Sequence, residues 1–162
     1  MPTPNTSLPS VGSAAPAFTL LDQEGTSRSL SEFAGTYVLM YFYPKDDTPG
    51  CTKEACAIRD AFPDFTGANA VVLGVSPDSV KSHAKFVEKY KLPFTLLADE
   101  GHSVASAYGV WGLKKFMGKE YEGVFRTSFL IAPDGTIAKI YEGVKPEAHA
   151  AEVLGDLKEL AA

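Results

Sequence analysis

The run Tyr37-Val38-Leu39-Met40-Tyr41-Phe42-Tyr43 restricts the fold more than any other part of this 162-residue chain. It is seven apolar residues long, rich in aromatics, and shows no polar alternation. That pattern predicts a strand buried on both faces, the kind found at the centre of a parallel sheet covered by helices. Pro44 ends it. Parallel neighbours need crossover connections long enough to hold a helix, and the flanking sequence supplies them. A helix is predicted from Pro49 to Phe62 and a second buried strand from Ala70 to Val75. An amphipathic helix follows from Val80 to Tyr90, then a short strand from Phe94 to Leu97.

The flanks complete the plan. Phe18 to Leu21 reads as a short strand and Ser29 to Phe33 as a helical turn stopped by Gly35. His102 to Tyr108 is a short predicted helix closed by Gly109. Phe125 to Ile131 and Thr136 to Tyr141 are expected to pair as a hairpin through Pro133-Asp134-Gly135, and Glu147 to Leu160 as a closing helix. Val110 to Val124, with Gly112, Gly118 and Gly123, is expected to be irregular. A βαβ half joined to a ββα half is the α/β, thioredoxin-like plan, with a central mixed sheet flanked by helices. Residues 1–12 are expected to be a flexible arm and residues 13–162 a single domain.

Composition narrows the function classes. With 15 basic and 20 acidic residues the net charge is −5, so there is no electrostatic footprint for nucleic acid. No apolar stretch is long enough to span a bilayer. The first residues lack the basic and apolar regions of a secretory signal, which makes the cytosol the default location. Cys51 and Cys56 are the only cysteines, too few for a disulfide scaffold or a four-cysteine zinc site. His83, His102 and His149 show no metal-ligand spacing toward them and are expected to be solvated surface residues.

The chemistry concentrates in Pro44-Lys45-Asp46-Asp47-Thr48-Pro49-Gly50-Cys51-Thr52-Lys53-Glu54-Ala55-Cys56. Thr48 suits an N-cap and Pro49 the first helical position. Cys51 therefore falls in the first turn of a helix, where free N–H groups and the positive end of the dipole favour a thiolate. The Thr48 hydroxyl is placed to donate to that sulfur or to an incoming oxygen. Cys56 on its own reads as a small buried hydrophobe. Five residues along an ideal helix separate two Cα atoms by about 8.7 Å, whereas a disulfide needs about 4.4–6.8 Å. If the two cysteines bond, the first turns of the helix must unwind. Arg126, inside a β-rich run, is either an exposed strand-end cation or the permanent positive partner of the nucleophile. Trp111, Phe116 and Met117 are open between an apolar collar at the site and ordinary core packing.

The stretch PKDDTPGCTKEAC resembles the active-site signature of peroxiredoxins, in the form carried by the bacterioferritin comigratory protein or peroxiredoxin Q subfamily. WGLKKFMG at 111–118, FRTSFLI at 125–131 and the Pro133-Asp134-Gly135 turn fit the same subfamily, so the resemblance covers nearly the whole chain. It implies that Cys51 is the peroxidatic cysteine and Cys56 an intramolecular resolving cysteine. It also implies that Thr48 orients the peroxide, Pro44 shields the thiolate, and Arg126 stabilises it and polarises the peroxide. Glu54 matches the pattern with a supporting role at most. Ala132 stands where family members often carry an acidic residue. The implied activity is reduction of hydrogen peroxide and alkyl hydroperoxides by a monomer, recycled by thioredoxin or a similar dithiol, with no metal, flavin or haem. A thiol–disulfide reductase of the same fold, a redox sensor or holdase, and a structural domain with two incidental cysteines remain as alternatives at this point.

Overall fold

A computed structural model of the chain describes residues 8–161. In chain order, β1 (Thr19–Asp22) pairs with β2 (Ser27–Ser29), and a single 3-10 turn (Leu30–Phe33) leads into β3 (Tyr37–Phe42). Next come α1 (Pro49–Asp60), α2 (Phe62–Gly67), β4 (Ala70–Ser76), α3 (Val80–Tyr90), β5 (Thr95–Ala98) and α4 (Ser103–Ala107). The chain ends with β6 (Trp111–Phe116), β7 (Lys119–Val124), β8 (Thr127–Ile131), β9 (Ile137–Glu142) and α5 (His149–Ala161). Seven strands form one sheet in the order β2-β1-β5-β4-β3-β8-β9. β3, β4 and β5 run parallel, and β1 and β8 join antiparallel on either side. The sheet is mixed, as the sequence implies, and β3 lies near its middle.

Every residue from Val38 to Tyr43 is buried, and the pleat sends them alternately to two cores. Leu39, Tyr41 and Tyr43 pack with Cys51, Ala55 and Ile58 of α1, Phe65 of α2, Phe86 of α3 and Val153 of α5. Val38, Met40 and Phe42 pack on the opposite face with Val104 of α4, Tyr108, Val124 and Phe129. Gly74 on β4 stands beside Tyr41. A Cβ there would lie 2.7 Å from Leu96 Cδ2 and 2.9 Å from the Tyr41 hydroxyl. Glycine at this position lets the Tyr41 ring lie across the neighbouring strand.

Two segments differ from expectation. Val110 to Val124 is not irregular: β6 and β7 form a separate two-stranded antiparallel hairpin. Its tip is Met117-Gly118, both with positive φ (51° and 79°), the geometry of a tight hairpin turn. The chain between Asp60 and β4 carries a further short helix, α2, that begins where the predicted first helix was to end. Of the N-terminal arm, residues 1–7 lie outside the described residues. Gly12 and Ala15 donate to the carbonyls of Ile137 and Gly135 at 2.8 and 2.9 Å, docking this end of the chain on the β8–β9 hairpin. No helix among the described residues is long and apolar enough to cross a membrane.

Candidate active site

The polar loop after β3 delivers the start of α1 to the edge of the first core. Thr48 has the extended backbone of an N-cap and Pro49 is the first helical residue. The first backbone bond of the helix runs from the Thr52 N–H to the Thr48 carbonyl, at 2.8 Å. The N–H groups of Gly50 and Cys51 come before it and have no acceptor within the helix. Cys51 sits beside them in the first turn and is 1% exposed. Both cysteines are free thiols, and both lie within an unbroken α1. This is the arrangement their spacing demands of the reduced protein.

Arg126 comes from the opposite direction, on the short connection between β7 and β8. That connection is held by the Phe125 N–H on the Val110 carbonyl (2.8 Å) and by the Val144 N–H on the Arg126 carbonyl (3.2 Å). One guanidinium nitrogen, Nη2, donates to Cys51 Sγ at 3.2 Å, and the other, Nη1, donates to Glu54 Oε1 at 2.6 Å. A Cβ on Gly50 would stand 3.2 Å from Nη2, so a glycine there leaves room for the fork. Glu54 is fully buried, one helical turn beyond Cys51. Burial pushes its carboxyl up to about 7, although Arg126 pulls the other way. Oε2 of Glu54 and the Tyr41 hydroxyl are both buried without a hydrogen-bond partner. A thiol and a fixed cation are thus in contact at a helix start whose first backbone N–H groups have no acceptor within the helix, which suits a nucleophile that must also stabilise a departing oxyanion.

A family model described as the AhpC/TSA family matches residues 11–140. The chain belongs to that family. Peroxiredoxin Bcp of Bacillus subtilis is 48% identical over 150 residues, which cover 93% of this chain and 96% of that one. Among solved structures, a variant of peroxiredoxin Q from Xylella fastidiosa superimposes with a TM-score of 0.90 at 35% identity, covering 97% of this chain and all of the other. The bacterioferritin comigratory protein of Xanthomonas campestris, studied for its alkyl peroxide reduction activity, gives 0.86 at 37% identity over 98% of this chain and 99% of that one. The protein is a peroxiredoxin, a thiol-dependent peroxidase with a thioredoxin-type fold.

Around this peroxiredoxin site the sequence-predicted residues divide. Cys51 and Arg126 are in contact. Thr48 is at the helix start, but its hydroxyl donates to the Lys45 carbonyl at 2.9 Å rather than to sulfur. Pro44 is half-buried at the head of the loop, and Cys56 is half-buried farther along α1. Trp111 is half-buried at the base of the β6–β7 hairpin, its ring stacked on His102 at 3.8 Å between centroids. Met117 is 86% exposed at the hairpin tip and so is no part of a collar. The Phe116 side chain lies outside the described residues.

The histidines are not solvated surface residues. His83 and His149 are fully buried, His83 between Asp46 and the Leu97 carbonyl, His149 against Ser128 and Tyr141. His102 is half-buried under Trp111. The ring nitrogens of His83 and His149 meet side-chain or backbone partners, whereas His102 is held by its stack on Trp111 and its Nδ1 is buried without a hydrogen-bond partner. Glu54, for which the resemblance implies a supporting role at most, shares the Arg126 guanidinium with Cys51. The available signal was its position one turn after Cys51 on the same helix.

Proposed function

We propose that Cys51 is the peroxidatic nucleophile, Arg126 and the Gly50 and Cys51 N–H groups its electrostatic partners, and Cys56 the resolving thiol. The observation that carries this reading is the Arg126 fork, with one nitrogen on the Cys51 sulfur and the other on Glu54. Arginine cannot give up its proton, so it holds a positive charge beside the sulfur throughout the reaction. The Cys51 thiolate attacks one oxygen of hydrogen peroxide or a small alkyl hydroperoxide. An S–O bond forms and the O–O bond breaks. The departing hydroxide or alkoxide is stabilised by Arg126 and the free N–H groups and is then protonated. Thr48 orients the incoming peroxide, its hydroxyl turning from the Lys45 carbonyl to do so, and Pro44 shields the thiolate from water.

Cys51 is left as a sulfenic acid. The first turns of α1 unwind, the Cys56 thiolate attacks the Cys51 sulfur, and water leaves as the disulfide forms. A dithiol protein, thioredoxin or one like it, restores both thiols by exchange. All of these groups come from one chain, so a monomer suffices. A cytosolic location suits two thiols that must be returned to the reduced state.

The test is mass spectrometry of the reduced protein after one equivalent of peroxide. The reading expects a loss of two hydrogens mapped to a Cys51–Cys56 link. Cys56→Ser should consume one peroxide per chain, stop at Cys51 sulfenic acid and lose turnover with thioredoxin. Sustained wild-type turnover by that variant removes Cys56 as resolver, and peroxide consumption by Cys51→Ser overturns the whole assignment.

A further inference from the structure

The loop that carries Pro44 and Thr48 is held on its far side by a buried polar cluster in which the mechanism has no part. Asp46 and His83 are both buried, on the loop and on α3. Asp46 Oδ1 accepts from the Tyr43 hydroxyl at 2.5 Å. Its Oδ2 accepts from the Ser82 hydroxyl at 2.8 Å and lies 2.7 Å from His83 Nδ1. The Asp46 N–H donates to Asp78 Oδ2 at 2.8 Å, and the Ser76 hydroxyl donates to that same oxygen at 2.6 Å. Two turns farther along α3, Asp47 accepts from Lys89 Nζ and the Tyr90 hydroxyl, each at 2.8 Å. α3 therefore grips the loop at two successive residues. Asp46, Asp78 and His83 are close enough together to suggest a metal cradle. Their facing oxygens, however, already accept hydrogen bonds from protein donors, and the cluster is complete without an ion.

The contact between Asp46 and His83 must hold a proton. His83 Nε2 lies 2.8 Å from the Leu97 carbonyl. A carbonyl can only accept, so Nε2 carries a hydrogen. At 2.7 Å, Nδ1 and Asp46 Oδ2 cannot both present lone pairs. One proton sits between them, whether written as imidazolium and carboxylate or as imidazole and acid. The bond is charge-assisted or its equivalent, inside a buried site where an unpaired partner is costly.

We propose that the Asp46–His83 pair is the anchor that fixes the peroxidatic loop while α1 unwinds. Asp46 and His83 are positioning residues: they touch neither sulfur nor peroxide and act through the loop. With the pair intact, the chain from Tyr43 to Asp47 stays against α3, and opening is confined to the residues from Thr48 onward. The thiolate pocket is then ready for peroxide before oxidation and rebuilt in register after reduction. Without the pair the loop comes free, and the two chemical steps move in opposite directions. Oxidation of Cys51 slows because its pocket is less often assembled, and disulfide formation speeds up because the helix start opens more readily. A residue that only adds stability would not split the steps in this way. The inference rests on the proposed roles of Cys51 and Cys56.

The experiment is rapid quench after a peroxide pulse on the reduced full chain, with mass spectrometry resolving thiol, sulfenic acid and disulfide over time. His83→Leu removes the donor to Asp46. Its Cys51 oxidation should fall about tenfold or more, with disulfide formation faster than in the wild type, and an unchanged or slower disulfide step overturns the anchor. His83→Asn keeps an N–H near the Nδ1 position and should restore most of the oxidation rate. If His83→Leu does not fold, Ser82→Ala removes one of the donors to the same carboxylate oxygen and should show the same split at a few-fold size. The anchor is overturned if both steps change in the same direction, if neither changes, or if His83→Asn behaves like His83→Leu. Cys51→Ser run alongside separates the two ideas. Oxidation surviving in that variant defeats the site assignment itself, whereas its loss together with an unsplit His83→Leu result defeats only the anchor.

Discussion

Replacing Glu54 with glutamine should flatten part of the protein's stability–pH curve by an amount the structure sets. Glu54 is fully buried with one oxygen on Arg126 and the other unpaired. Its carboxyl is held at about 7 in the folded protein, against 4.5 for an ordinary glutamate, with desolvation as the leading cause. As pH rises from 4.5 to 7 the unfolded chain gives up this proton while the folded chain retains it. The folded state therefore binds more protons in that window and loses stability as pH climbs. The difference amounts to about 3 kcal/mol by pH 7.5. Glutamine keeps an oxygen for Arg126 and does not titrate. The stability of Glu54→Gln relative to wild type should therefore increase by about 3 kcal/mol between pH 4 and pH 7.5. Urea unfolding of both proteins, fully reduced, at closely spaced pH values measures this directly. The other titrating groups are common to both and cancel in the difference. Any cost of an unpaired amide is the same at every pH and shifts the level, not the slope. Parallel curves, or a difference that shrinks with rising pH, would refute the argument that burial outweighs the Arg126 ion pair here.

Two glycines offer sharper steric tests. Gly74→Ala places a Cβ 2.7 Å from Leu96 and 2.9 Å from Tyr41 in the middle of the sheet. It should cost about 1–3 kcal/mol, read as a lower urea midpoint at unchanged slope. Gly50→Ala puts its Cβ 3.2 Å from Arg126 Nη2. It should displace the guanidinium by a few tenths of an ångström and slow peroxide attack about tenfold in stopped-flow assays, with little change in stability. Arg126→Lys keeps the charge but cannot bond sulfur and carboxylate together through a planar fork. Its peroxide rate should fall by about 10²-fold.

What could be read from the sequence depended on how local each residue's physics is. The central strand was legible because seven apolar residues in a row leave few other conformations, and helix α3 matched its predicted span because the amphipathic spacing runs unbroken from Val80 to Tyr90. The β6–β7 hairpin was hidden for an equally local reason. Gly112 and Gly123 face each other across it, and Met117, which carries no turn signature, takes the left-handed position at its tip. Three glycines in fifteen residues read as a loop, but here they sit in and at the turn of a paired ribbon. The site divides in the same way. The role proposed for Cys51 rests on a helix start built by Thr48 and Pro49, three and two residues away, so the motif alone could suggest it. Arg126 and Glu54 are 72 residues apart in the chain, and Asp46 and His83 are 37 apart. Nothing local marks Glu54 as a carboxyl near neutrality or His83 as a buried proton holder. Those properties belong to the contacts, and the sheet order brings the contacts together. A motif could therefore suggest the nucleophile and its arginine, while the shifted carboxyl that shares Arg126 and the pair that holds the loop became visible only once β3, α1 and α3 were seen packed on one another.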